Sequence, residues 1–127
     1  MFETPPYPVW VCADVEALGS VVTNLVSNAL KFTEDGGWVR CRLRTVGDQA
    51  RLEVSDNGLG IPEPEQRDLF TRFFRSSTAQ LRAIQGSGLG LTIVEAIVRG
   101  HEGDISVLSE HMEGSTFTVN LPLAQGQ

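Results

Sequence analysis

Apolar positions along the chain change their period in a way that separates helices from strands. In Val15–Phe32 the apolar residues Leu18, Val21, Val22, Leu25, Val26, Ala29 and Leu30 recur at three- and four-residue steps, which predicts an amphipathic helix. Asp14 stands where an N-cap is needed, and Asp35-Gly36-Gly37 ends the element. Trp38–Thr45 alternates instead: Val39, Cys41 and Leu43 point one way and Arg40, Arg42 and Arg44 the other, as on a half-buried strand. Val46-Gly47-Asp48-Gln49 reads as a turn, and Arg51–Ser55 as the returning strand. Val9–Cys12 reads as a short strand after a Pro-rich, extended segment over residues 1–8. Glu63–Arg75 predicts a short helix. Residues 76–88, small and polar with no strong period, predict a long loop. Leu89–Gly100 is again helical, with Leu89, Ile93, Ala96 and Ile97 assigned to one face. Ile105–Leu108 and Thr116–Leu121 form a closing hairpin around Glu113-Gly114. The order β-α-β-β-α-loop-α-β-β predicts an α+β fold: a two-layer α/β sandwich in which a mixed, mainly antiparallel sheet of about five strands is covered on one face by three helices. Residues 9–127 are expected to form one domain after the lead-in at 1–8.

Composition narrows the function classes. The chain has 127 residues, 41% hydrophobic and 20% charged, within the range of a single ordinary globular domain. No apolar run approaches the ~20 residues needed to span a bilayer. The first residues lack the basic stretch and apolar run of a signal peptide; the abrupt Met1-Phe2 start is expected to mark a domain cut from a longer protein. The net charge of −6 argues against nucleic-acid binding, so the arginines of the second strand are expected to be a solvated outer face. The same charge repels a polyphosphate, and any nucleotide site must gather positive potential from helix ends, a metal ion or a few placed cations. Lys31 is the only lysine. Cys12 and Cys41 have no zinc-ligand spacing and are expected to be two buried thiols in a reducing compartment.

Three segments carry candidate chemistry. Asn24, Asn28 and Lys31 fall at i, i+4 and i+7, within an arc of about 60° on the first helix. A solvated polar stripe is the ordinary reading of such spacing. Asparagine, however, is a mediocre helix former, an amide oxygen suits Mg²⁺, and a lysine reaches phosphate. In Asp56-Asn57-Gly58-Leu59-Gly60-Ile61-Pro62 an aspartate at a strand end precedes two glycines. This composition serves a plain turn equally well, or a ligand approached closely by backbone, with the carboxylate accepting from an adenine amino group. Gly86-Ser87-Gly88-Leu89-Gly90-Leu91 opens a helix and offers free amides to an anion. It matches neither the dinucleotide fingerprint nor the Walker A loop.

Taken together and in this order, the segments resemble the nucleotide-binding boxes of the histidine kinase family, within the gyrase, Hsp90, histidine kinase and MutL ATPase group. Asn24 to Thr33 resembles the N box, Asp56 to Pro62 the G1 box, Leu69 to Arg75 the F box, and Gly86 to Leu91 the G2 box; Gly114 to Pro122 resembles the closing hairpin. The resemblance implies a Bergerat-type ATP-binding fold with ATP and Mg²⁺ as ligands. It implies Asn28 as the Mg²⁺ ligand, Asn24 as support for metal and phosphate, Lys31 and Arg75 as cations toward phosphate, and Phe32 at the border of the nucleotide. Asp56 would bind the adenine amino group, with Gly58, Gly60 and Ile61 closing over the base. Gly86, Ser87, Gly88, Leu89, Gly90 and Leu91 would shape the lid hinge and the phosphate contacts, and Ser115 would join a water-mediated contact near adenine. Phe70, Phe73 and Phe74 would anchor the lid.

The phosphoacceptor box of that family is absent. His101, in a Gly100-His101-Glu102-Gly103 turn resembling the family's HGG, and His111, in a hairpin loop, do not lie on a long amphipathic helix. The isolated domain is therefore not expected to autophosphorylate. Asn24 stands where the gyrase and Hsp90 branches carry a glutamate, and an amide has no basicity to activate water. The expected function is the ATP-binding catalytic domain of a two-component sensor histidine kinase, which passes the γ-phosphate to a histidine on a separate dimerisation and phosphoacceptor domain, with a response regulator downstream. The domain is expected to be cytoplasmic, without direct contact to membrane or nucleic acid, whatever anchors its parent. Alternatives are a non-catalytic nucleotide-sensing module of the same fold and an anti-sigma-type serine kinase.

Overall fold

A computed structural model describes residues 2–66, 68–70 and 90–124. The elements are β1 (Phe2–Glu3), α1 (Val15–Phe32), β2 (Val39–Val46), β3 (Gln49–Asp56), α2 (Glu63–Gln66), α3 (Gly90–Gly100), β4 (Asp104–Glu110) and β5 (Gly114–Pro122). They build a five-stranded sheet in the order β1-β2-β3-β5-β4. The two-residue β1 pairs parallel with β2; every other pairing is antiparallel. The α+β two-layer architecture expected from the pattern is the one observed.

The strand alternation builds the core. Cys41, Ala50, Val54, Ile105, Phe117, Val119 and Leu121 lie buried on one face of the sheet, against Val21, Leu25 and Ala29 of α1 and Val94 and Val98 of α3. A fully buried side chain such as Leu25 contributes about 1.5–3 kcal/mol relative to exposure. On the opposite face the β2 arginines are solvated and paired: Arg42 lies 3.5 Å from Glu3, Arg44 3.1 Å from Glu53, and Arg40 stacks over Trp38.

Asp14 caps α1 by accepting from the Ala17 amide at 3.0 Å. At its other end Thr33 leaves the helix in extended backbone, with its hydroxyl donating to the Ala29 carbonyl at 2.7 Å. His101 ties the two long helices together. Its Nε2 accepts from the Asp14 amide at 3.1 Å and its Nδ1 lies 2.8 Å from the Ile97 carbonyl, so the imidazole is neutral with its proton on Nδ1.

Four expectations are corrected. Val9–Cys12 is not a strand: Trp10 is exposed, and the segment is held by the Ala124 amide donating to the Trp10 carbonyl. The sheet edge is Phe2–Glu3 instead. Cys12 is exposed, and only Cys41 is buried. On α3 the face turned to the core carries Val94 and Val98, whereas Ile93 and Ala96 are exposed. The predicted helix at 63–75 is four residues long, Glu63–Gln66; residues 71–75 lie outside the described residues, as does the expected loop at 76–88. No helix among the described residues is long and apolar enough to cross a membrane.

Candidate nucleotide site

The site begins where β3 ends. Asp56 and Ser115 are directly opposite in the β3–β5 register, on the core side of the sheet, and each is less than a tenth exposed. Burial pushes the Asp56 carboxyl above its ordinary range, and hydrogen bonds from the Gly58 and Ser115 backbones pull it part of the way back. The Gly58 amide donates to Asp56 Oδ1 at 2.9 Å. The carboxylate is thus fixed by its own loop and partly stripped of water, the condition under which a hydrogen bond to a ligand is strongest.

Residues 57–62 leave β3 as a loop pinned at both sides. On one side the Leu59 amide donates to the Phe32 carbonyl at 3.0 Å, docking the loop on the end of α1. On the other the Met112 amide donates to the Leu59 carbonyl. The Ile61 amide donates to Ser109 Oγ at 2.9 Å, and Gln66 Nε2 donates to the Ile61 and Ser109 carbonyls at 3.0 and 2.9 Å. Close approach explains the glycines. A methyl group on Gly58 would strike the Phe32 carbonyl, and one on Gly60, whose φ is +65°, would strike the Glu110 carbonyl.

Helix α1 presents the polar stripe next to this loop. Asn24 donates its amide hydrogens to the Ser20 carbonyl and hydroxyl at 2.8 and 3.2 Å. Its oxygen faces Gly90, the first residue of α3, where an added Cβ would come within 2.9 Å. Asn28 and Phe32 are half-buried, and Lys31 is exposed. Among the described residues, the Asn28 amide makes no hydrogen bond and Lys31 no ion pair. Leu91 packs against the core, and Thr92 donates to the Phe70 carbonyl at 2.9 Å, tying the start of α3 to the turn after α2. Asn24, Asn28, Lys31, Phe32, Asp56, Gly58, Gly60, Ile61, Gly90, Leu91 and Ser115 are therefore located. Arg75, Gly86, Ser87, Gly88 and Leu89, with Phe73 and Phe74, lie outside the described residues.

Sequence reasoning missed Ser109 and Gln66. Both are isolated polar residues without a motif, and only the pairing of β4 with β5 brings Ser109 under the loop. No group of three or more His, Cys, Asp or Glu side chains among the described residues could cage a metal ion.

Comparison with known proteins agrees with this geometry. Residues 13–125 match the family described as histidine kinase-, DNA gyrase B-, and HSP90-like ATPase. The sensor histidine kinase RcsC of Escherichia coli K12 is 44% identical over 126 residues, which is 99% of this chain but 13% of RcsC. The mycobacterial sensor histidine kinase MprB superimposes with a TM-score of 0.86 at 38% identity, covering 96% of this chain and 82% of that structure. Full-length ShkA in complex with AMPPNP gives a TM-score of 0.81 at 27% identity, over 97% of this chain and 25% of that one. The chain thus spans a small part of the length of the curated relatives it matches. It belongs to the histidine kinase-, DNA gyrase B- and HSP90-like ATPase family, and matches the ATP-binding catalytic domain of sensor histidine kinases.

Proposed function

We propose that this domain binds Mg-ATP and positions the γ-phosphate for transfer to a histidine on a separate helical domain of its parent kinase. The observation that carries the reading is the buried Asp56–Ser115 pair, set under a glycine loop that docks on the end of the helix bearing Asn28. Support comes also from ShkA, a structural relative solved with the ATP analogue AMPPNP. Asp56 accepts from the adenine amino group. Gly58, Gly60 and Ile61 let backbone close on the base, Phe32 borders it, and Ser115 completes the base contact.

The donor set fits Mg²⁺ of one kind only. The Asn28 amide, without a hydrogen bond among the described residues, and the absence there of a carboxylate, His or Cys cluster match an ion carried in by the phosphates and held by one or two protein ligands, not a protein cage. When bound, Mg²⁺ neutralises charge on the β- and γ-phosphates. Asn24, oriented by Ser20, turns its amide oxygen toward the start of α3, and the missing side chain of Gly90 permits the approach. Lys31 supplies a cation toward phosphate, and the resemblance adds Arg75 and Gly86 to Leu91 to the phosphate contacts. Transfer breaks the bond between the γ-phosphorus and the bridging oxygen, forms a bond from phosphorus to an imidazole nitrogen, and releases ADP. The amide of Asn24 provides no base for water, which favours transfer over hydrolysis. The parent is read as a cytoplasmic-facing kinase that hands phosphate on to a response regulator.

Calorimetric titration with ADP and AMPPNP, with and without Mg²⁺, tests binding. Affinity for AMPPNP should rise with Mg²⁺. Asp56→Asn should abolish binding, and unchanged affinity in that variant would sink the site. Mixing the domain with a relative's helical phosphoacceptor domain and labelled ATP then tests transfer. Binding without any transfer would favour the nucleotide-sensing alternative.

A further inference from the structure

Ser109 belongs to none of the nucleotide-binding boxes, yet its hydroxyl has three partners, two of them at the candidate site residues Ile61 and Ser115. The Ile61 amide donates to it at 2.9 Å, it donates to the Gly114 carbonyl at 3.1 Å, and Ser115 Oγ lies 2.7 Å away. A serine hydroxyl has one proton and two lone pairs. The carbonyl of Gly114 accepts the one proton, and the Ile61 amide takes one lone pair. The remaining lone pair must therefore receive the Ser115 proton. Ser115 is thereby left with lone pairs only, beside the carboxylate of Asp56 on the neighbouring strand. Gln66 keeps this arrangement in place by bridging the Ile61 and Ser109 carbonyls.

We propose that Ser109 is a positioning residue that sets the hydrogen-bond polarity of the nucleobase pocket: by holding the Ser115 proton it leaves Asp56 and Ser115 as paired acceptors, which select a purine with an amino group over one with an oxo group. This rests on the reading of the Asp56 end as the nucleobase site. A 6-oxo purine turns an acceptor toward two acceptors, whereas a 6-amino purine turns a donor. With the Ser109 hydroxyl removed, the Ser115 hydroxyl turns freely and can donate, so the pocket no longer opposes the oxo group.

The test is titration of the 127-residue chain with ADP and with inosine diphosphate, which differs in having the 6-oxo group. Wild type should prefer ADP. Ser109→Ala should narrow that preference by about five- to tenfold, the worth of one hydrogen bond, mostly through tighter inosine diphosphate binding. Ser109→Thr, which keeps the hydroxyl, should restore it. Equal loss of both affinities in Ser109→Ala, or an unchanged ratio, overturns the proposal and leaves Ser109 a brace for the loop. If Ser109→Ala does not fold, Ser115→Ala decides: the preference should narrow again, and its retention overturns the proposal. If wild type binds neither diphosphate, or Asp56→Asn leaves ADP affinity intact, the nucleobase reading itself is wrong and the proposal falls with it.

Discussion

Gly60 gives the sharpest test of how the loop at 57–62 is held. Its φ of +65° lies in the left-handed region, and a side-chain carbon would land on the Glu110 carbonyl, which is backbone and cannot swing aside. Gly47 offers an internal control: its φ is +61°, but nothing lies within 4 Å of the added carbon. Gly47→Ala therefore isolates the conformational cost, about 1–2 kcal/mol. Gly60→Ala carries the same cost and also drives the loop off the β4–β5 hairpin, endangering the bonds from Met112 to Leu59 and from Ile61 to Ser109. At about 0.5–1.5 kcal/mol per bond, the total reaches about 2–5 kcal/mol. For a chain of this size each kcal/mol moves the melting temperature by roughly 3–6 °C. Gly60→Ala should then melt about 6–30 °C below wild type and lose ADP affinity, with Gly47→Ala falling by half as much or less and binding normally. Urea unfolding and calorimetry on the same samples read both quantities. Equal destabilisation by the two substitutions would refute the collision argument.

Three further outcomes follow from described contacts. Burial raises the Asp56 pKa above its ordinary 3.8, so its stabilising contribution is full below that value and lost as pH rises through the raised folded value. Asp56→Asn, neutral throughout, should therefore be more stable than the ligand-free wild type at neutral pH, with the gap closing toward pH 4 in a series of melts. Glu102, exposed with a φ of +62°, is strained where glycine is not; Glu102→Gly should raise the unfolding free energy by about 0.5–1 kcal/mol in urea titration. His101→Ala removes the tie between the Asp14 amide and the Ile97 carbonyl and should lower stability by about 1–2 kcal/mol, measured the same way.

What was legible in the sequence was local and periodic. The α1 stripe and the β2 alternation each carry a strong period, and the Asp14 cap lies next to its helix. The nucleotide boxes are contiguous runs, so their order could be read without knowing how they meet. The misread parts have other causes. On helix α3 the apolar residues Leu91, Ile93, Val94, Ile97 and Val98 fall within an arc of about 160° centred near Val94, but the expected face, drawn through Leu89, Ile93, Ala96 and Ile97, lies at one edge of that arc. Val9–Cys12 has strand-like residues but no partner strand, and β1 is two residues long, defined only by pairing with residues 41 and 42. Of the Ser109 hydroxyl's partners, Gly114 and Ser115 at the start of β5 are close in sequence, but the Ile61 amide comes from the loop after β3, 48 positions away, and no local pattern announces that contact.

The seam between β3 and β5 has a consequence for how this domain acquires its site. The β2–β3 and β4–β5 hairpins each close locally, but the Ser55–Thr116 bridge spans 61 positions of chain. Such a closure is entropically slow, and topologies dominated by it form late. Asp56 and Ser115 sit on opposite sides of that seam, one in each hairpin. On the proposed reading of the site neither half of the molecule would hold the base alone, so competence to bind should appear only in the last, cooperative step of folding. A bound nucleotide should correspondingly slow separation of the two hairpins, and a truncation at either end of the seam should be silent in binding, however much secondary structure it keeps.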